Sequence, residues 1–271
     1  MEATKSKNDG PLCAPDLLDA ALEYLGRGWS IIPMHVTFTT PEKKGGKKPA
    51  RPWKCYQKRR ANESTWRQWS TDRYVNGIGV VFGGISGGLA CRDYDDLAAY
   101  DLWRQEYPDL AATLPTVATG RAGGGRHVYC LAAEGSMAKI RARLGKLGTG
   151  AIPLGDGELR AGIGCYTILP PSPHPSGCRY QWLIPLGDDL PTIDLDEAGF
   201  YRCYREGHFD AGRSGSKLTT ADLHRGGIQD NQENKNQGIQ KTPQTLAPPC
   251  PLCLSVARYR EERGLHLGRL N

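Results

Sequence analysis

The run Gly87-Gly88-Leu89-Ala90-Cys91-Arg92-Asp93-Tyr94-Asp95-Asp96 constrains the chain more than any other stretch. Two glycines close a turn, and Leu89, Ala90 and Cys91 then start a short buried strand. That strand runs straight into acid. Side chains on a strand alternate faces, so Asp93 and Asp95 point the same way, roughly 6.5–7 Å apart along the backbone. Carboxylates that close repel each other unless a cation sits between them. Oxygen donors of this kind suit Mg²⁺ or Mn²⁺, and a pair of such ions serves in-line phosphoryl or nucleotidyl transfer. The same residues also suit a polar strand end, with Asp96 capping the next helix. The residues further along the chain have to decide between the two.

Upstream, the spacing of Leu18, Ala21, Leu22 and Leu25 predicts a helix beginning near Pro15 and stopping at Gly26. Gly28-Trp29-Ser30-Ile31-Ile32-Pro33 reads as a buried strand. The loop Gly45-Gly46-Lys47-Lys48-Pro49 lets the backbone approach a ligand and gives two ammonium groups reach to phosphates. Asn62 starts a short helix with Trp66 and Trp69 on its inner face, and Asn76–Gly83 is a strand. The glycine-rich link 83–88 reads as a hairpin-like turn into the acid strand.

Downstream, Leu97, Tyr100 and Trp103 mark a helix that Pro108 ends. Strands follow at Leu114–Gly120 and Arg126–Leu131, so His127 leaves a glycine-rich turn with Arg121 and Arg126 nearby. Ser136–Leu144 reads as a helix. Gly157–Gly162 and Gly164–Leu169 read as two short strands paired with each other. Pro170–Gly177 is a stiff loop and Tyr180–Ile184 a further strand.

Residues 41–73 hold six lysines and five arginines against three acids, a surplus larger than the net +6 of the 271-residue chain. A basic patch beside an acidic centre suits a polyanionic substrate, and it also suits a solvated loop. Trp53 and Tyr56 lie among these cations, where aromatic faces can stack bases. No run approaches the ~20 apolar residues of a membrane span. The first nine residues show no apolar signal region, so the expected location is the cytoplasm. Nine scattered cysteines argue against a disulfide framework.

The expected organisation is a flexible lead at 1–14, one catalytic domain at 15–205, a low-complexity linker at 206–249 and a short basic segment at 250–271. That last segment carries Cys250 and Cys253, half of a zinc site whose other half the sequence does not supply locally, so zinc stays open.

Taken in order, the motifs resemble the N-terminal domain of the bifunctional primase–polymerases, within the archaeo-eukaryotic primase superfamily. They are Gly28-Trp29, Lys47-Lys48-Pro49 with Trp53, Asp93-Tyr94-Asp95, Gly124-Gly125-Arg126-His127, Glu158-Leu159-Arg160, Pro170-Pro171-Ser172 and His174-Pro175-Ser176-Gly177. The resemblance spans about residues 15–185 and implies an α+β fold with a mainly antiparallel, RRM-like sheet flanked by helices. It implies Asp93, Asp95 and Glu158 as ligands of two Mg²⁺ or Mn²⁺ ions, with His127 at the phosphates of an incoming nucleotide. It further implies phosphate or template contacts from Arg126, Arg160, Lys48 and Ser172. Lys47, Arg51, Trp53, Lys54, Arg59 and Arg60 become candidates for nucleic-acid binding. The third acid is Glu158 where the family usually has Asp.

The implied activity is DNA primase and polymerase, in the replication of a plasmid, phage or mobile element. The implied partners are single-stranded DNA, dNTPs or NTPs and a helicase in trans. Two rivals stand beside it: a DNA-binding replication accessory with the same fold but weak catalysis, and a metal-dependent nuclease using the same acids.

Overall fold

The computed structural model describes residues 17–147 and 150–205. The expected flexible lead, linker and Cys250/Cys253 segment lie outside these residues. Helix α1 (Leu17–Gly26) leads into strands β1 (Ser30–Thr37) and β2 (Gly46–Pro49), then helix α2 (Glu63–Ser70) and strand β3 (Gly77–Val81). The acid strand β4 (Leu89–Tyr94) is followed by helices α3 (Leu97–Glu106) and α4 (Pro108–Thr113). Next come β5 (Thr116–Ala118), β6 (Arg126–Ala132) and helix α5 (Glu134–Leu147). Strands β7 (Ala151–Pro153), β8 (Gly157–Arg160), β9 (Tyr166–Leu169), β10 (Gln181–Ile184) and β11 (Thr192–Ile193) complete the order.

Helix starts follow local chemistry. Asn62 caps α2 by accepting the Thr65 N–H at 2.9 Å, and Asp96 caps α3 by accepting the Ala99 N–H at 2.8 Å. Pro108 does end α3, but it also opens α4, as a proline at a first helical position can.

The strands form two sheets. One is four-stranded in the order β2-β1-β3-β9; the other is seven-stranded along β10-β5-β6-β4-β8-β7, with β11 beside β6. Every pairing is antiparallel except β11 with β6. This is an α+β fold with mainly antiparallel sheets and few helices, as the sequence implied.

Two pairing expectations are corrected. Strands β8 and β9 do not pair with each other: β8 runs between β4 and β7, whereas β9 pairs with β3 in the other sheet. The link from β3 to β4 does turn back like a hairpin, with Gly83 and Leu89 in an antiparallel bridge, but β3 and β4 do not pair with each other. A 3₁₀ turn at Gly84–Ser86 and the positive φ of Gly83, Gly87 and Gly88 carry the chain from one sheet to the other.

The central strands are apolar on both faces, and their alternation divides the core in two. Leu89 and Cys91 of β4, with Tyr129 of β6, join β1, β3, α1 and α2 in one cluster around Trp66. Ala90 and Tyr94, with Val128, Cys130 and Leu159, pack on the other face against α3 and α5, around Trp103. Among the described residues Cys55, Cys91, Cys130, Cys165 and Cys203 are free thiols and Cys178 is disulfide-bonded. Among the described residues no helix is long and apolar enough to cross a membrane.

Candidate active site

Residues directly opposite in an antiparallel pair share a face. The register sets Asp93 of β4 opposite His127 of β6 on one side and opposite Glu158 of β8 on the other. Three strands therefore bring together groups that the sequence separates by dozens of residues. Gly157 allows β8 this close: a Cβ there would collide with the Asp93 carbonyl oxygen. Asp95, just past the strand, holds its place by donating its N–H to the Asp156 carbonyl at 2.9 Å.

Above this floor is a cleft of about 140 Å³. Asp93, Asp95, His127 and Arg160 line it, joined by Lys47, Thr119, Arg121, His174 and Tyr180. His127 Nε2 lies 3.3 Å from Asp93 Oδ1, and Arg160 Nε donates to Asp93 Oδ2 at 3.2 Å. Arg160 Nη2 also reaches Glu158 Oε2 at 2.7 Å, and Arg121 pairs with Asp95. Burial alone would raise the pKa of Asp93. The nearby His127, Arg160 and Lys47 outweigh it and hold the carboxyl well below the usual carboxylate range. Arg160 shows the converse balance: burial opposes its charge, and Asp93 and Glu158 more than restore it.

The structure redistributes the predicted roles. Lys47, not Lys48, turns into the cleft, where its Nζ donates to the Tyr180 hydroxyl at 2.7 Å, 5.4 Å from the ring centroid. Burial lowers its pKa, with Asp93 opposing that shift. Lys48 follows on the strand, where successive side chains alternate faces, so its ammonium leaves on the side away from Lys47. Arg126 is buried on the opposite face of β6 from His127; it donates to the Gly124 and Gly125 carbonyls at 2.7 and 3.1 Å and lies over the Tyr100 ring. Its expected phosphate contact is thereby corrected to a structural role. Ser172 is likewise fully buried, accepting the Ile78 N–H at 2.8 Å and so pinning the proline loop to β3.

The basic segment is divided as well. Arg51 pairs with Asp72, and Arg60 donates to the Gly28 carbonyl at 2.5 Å. Trp53 packs edge-on to Tyr166 at 5.0 Å, while Arg59 lies over Tyr56 and Lys54 stands in an exposed 3₁₀ turn. Tyr166 also supplies the carbonyl that Arg160 Nη1 approaches at 3.3 Å, so this aromatic pair adjoins the cleft.

The sequence pointed to no role for Thr119, His174 or Tyr180 in the cleft, whereas Arg121 stood beside the glycine-rich turn, where a His and an Arg suit a triphosphate. His174 stood in the His-Pro-Ser-Gly motif, and Tyr180 gave no signal beyond strand propensity. His174 packs on Gly120, where a Cβ would clash with it, and Ser176 ties the same contact by donating to the Gly120 carbonyl at 2.6 Å. Burial, then the charges of Lys47, Arg121 and His127, lower the His174 pKa to about 4.

A family comparison now settles the lineage. Residues 21–197 match the model of the bifunctional DNA primase/polymerase N-terminal domain. The chain belongs to that family. No curated protein matches it. Membership in the primase/polymerase family supports a primase/polymerase-type function and implies DNA and nucleotides as substrates. Among the described residues no three His, Cys, Asp or Glu side chains stand together ready for a metal ion. Arg160 bonds the carboxylates of both Asp93 and Glu158.

Proposed function

We propose that this primase/polymerase domain makes DNA primers or extends them on a single-stranded template. A 3′-hydroxyl attacks the α-phosphate of a nucleoside triphosphate and pyrophosphate leaves. The observation that carries this reading is the cleft itself, in which two carboxylates on one strand end are ringed by Lys47, Arg121, His127, Arg160 and His174. A nucleic acid alone would not need three cations, Lys47, Arg121 and Arg160, and two histidines facing acids; a triphosphate over a cation-dependent centre would.

The donor set fits Mg²⁺ or Mn²⁺. Asp93 and Asp95 offer hard carboxylate oxygens on one face, and Asp93 is held ionised. Glu158 is the third ligand once its pair with Arg160 opens. Such ions, when bound, neutralise charge on the attacking and leaving oxygens of an in-line displacement. The chain's own residues position the substrate. Lys47 and Arg121 take the phosphates, and His127 and neutral His174 donate hydrogen bonds to them. Arg160 releases the acids and stabilises transferring charge. Trp53 and Tyr166, with Lys54 and Arg59 beside them, form the template-strand surface. The domain works in cytoplasmic replication of a plasmid, phage or mobile element, with a helicase in trans.

The test is primer synthesis on single-stranded DNA with Mg²⁺ or Mn²⁺, comparing dNTPs with NTPs. Wild type yields labelled product, and Asp93→Ala and Asp95→Ala do not. Tight DNA binding without incorporation would instead favour the accessory reading, and template degradation the nuclease reading.

A further inference from the structure

Beneath the cleft lies a second charged pair that the proposed chemistry does not use. Arg92 and Asp156 are both fully buried, with Nη2 donating to Oδ1 at 2.5 Å. Their other bonds are to main chain. Arg92 Nη1 donates to the Asp93 carbonyl at 2.8 Å, and the Asp156 carbonyl accepts the Asp95 N–H at 2.9 Å. Asp156 Oδ2 accepts the Tyr204 N–H at 2.8 Å, and Arg92 Nη2 reaches the Arg202 carbonyl at 3.2 Å. The guanidinium also lies 4.2 Å from the centroid of the Tyr94 ring. A buried ion pair is commonly no more stabilising than an apolar pair of the same volume. Its position here suggests another use, because the Arg92 guanidinium holds the Asp93 main-chain carbonyl, and the Asp156 carboxylate holds Arg92 in turn.

We propose that Arg92 is a positioning residue, held in place by the Asp156 carboxylate, that fixes the direction of the Asp93 carboxylate by holding the Asp93 main-chain carbonyl. The inference rests on the metal-dependent reading above. Groups that orient metal ligands from behind typically change metal affinity about 10- to 100-fold when removed.

The test is direct Mn²⁺ binding to the full chain, read from the loss of the free-ion EPR signal, with thermal melting alongside. Wild type binds Mn²⁺ and Asp93→Ala does not. In the double variant Arg92→Met/Asp156→Leu an apolar pair replaces the charges but leaves the Asp93 and Arg202 carbonyls and the Tyr204 N–H without these partners; it melts below wild type and binds Mn²⁺ about 10- to 100-fold more weakly. Arg92→Lys keeps the charge pair but cannot reach both Asp156 and the Asp93 carbonyl. It serves where the double variant fails to fold, with the same expected loss. A folded variant of either kind that binds Mn²⁺ like wild type overturns the positioning role and leaves the metal-dependent reading standing. Wild type that binds no Mn²⁺ removes that reading and the inference with it.

Discussion

Neighbouring lysines on one strand permit a controlled test of the cleft. Lys47→Met removes the ammonium that donates to Tyr180 inside the cleft, whereas Lys48→Met removes one that faces away. Both substitutions take one positive charge from the same strand, so both weaken long-range attraction for a polyanion about equally. Only Lys47→Met removes a contact. Point charges about 4 Å apart at an effective dielectric near 20 interact by about 4 kcal/mol, an upper bound. A hydrogen bond to a charged group leaves about 1.5–3 kcal/mol net of desolvation. Lys47 Nζ sits in the cleft against Tyr180, where a phosphate can take its hydrogen bond. The expected result is a nucleotide KM raised about 10- to 100-fold by Lys47→Met, with a smaller fall in kcat. Lys48→Met should stay within about twofold of wild type, as a surface charge does. Steady-state incorporation on a primed template, at fixed ionic strength, measures both. Equal effects from the two variants would mean that the field of the basic segment binds the substrate rather than a contact from Lys47, and an unchanged KM for Lys47→Met would refute the assignment outright.

Other expectations follow from the same geometry. Asp96→Ala costs about 1 kcal/mol of stability through the lost α3 cap but preserves incorporation, while Asp95→Ala abolishes incorporation; chemical denaturation and a primer assay separate the adjacent acids. Ser172→Ala loses the bond to the Ile78 N–H and lowers stability by about 1–3 kcal/mol, with nucleotide KM unchanged, as buried packing rather than phosphate contact demands. The folded-state pKa of His174 is depressed to about 4, so the unfolded chain binds more protons between about pH 4 and 6.5. His174 thus makes stability rise with pH across that window, and His174→Gln should show a shallower rise in melting temperature between those limits. Chelating the divalent cation with EDTA stops synthesis, and adding Mn²⁺ restores it.

Much of the site could be read from the chain because strand alternation is rigid. Asp93-Tyr94-Asp95 had to put two carboxylates on one face, and the apolar Tyr94 between them went to the other. Asn62 and Asp96 announced their helices by capping chemistry that acts over a few residues. Partner choice between strands was not readable in this way. Glu158–Arg160 and Tyr166–Leu169 look like a hairpin locally, yet each completes a different sheet, β8 beside β4 and β9 beside β3. Phase was equally hidden for Lys47 and Lys48, and for Arg126 and His127. Each pair has one member in the cleft and one turned away, and only the register with β1 or β4 says which. His174 and Tyr180 escaped because loop folding, not periodicity, brings them in.

Glu158 reaches its post by facing Asp93 across β4 and β8 at a single level. One extra codon inserted in β8 ahead of Glu158 would therefore swing that carboxylate toward the apolar side and turn Leu159 toward the cleft at the level of Arg160, which is as harmful as deleting the acid. Two extra codons would restore the phase and merely slide the acid along the ladder, so tolerance of insertions there should alternate between odd and even.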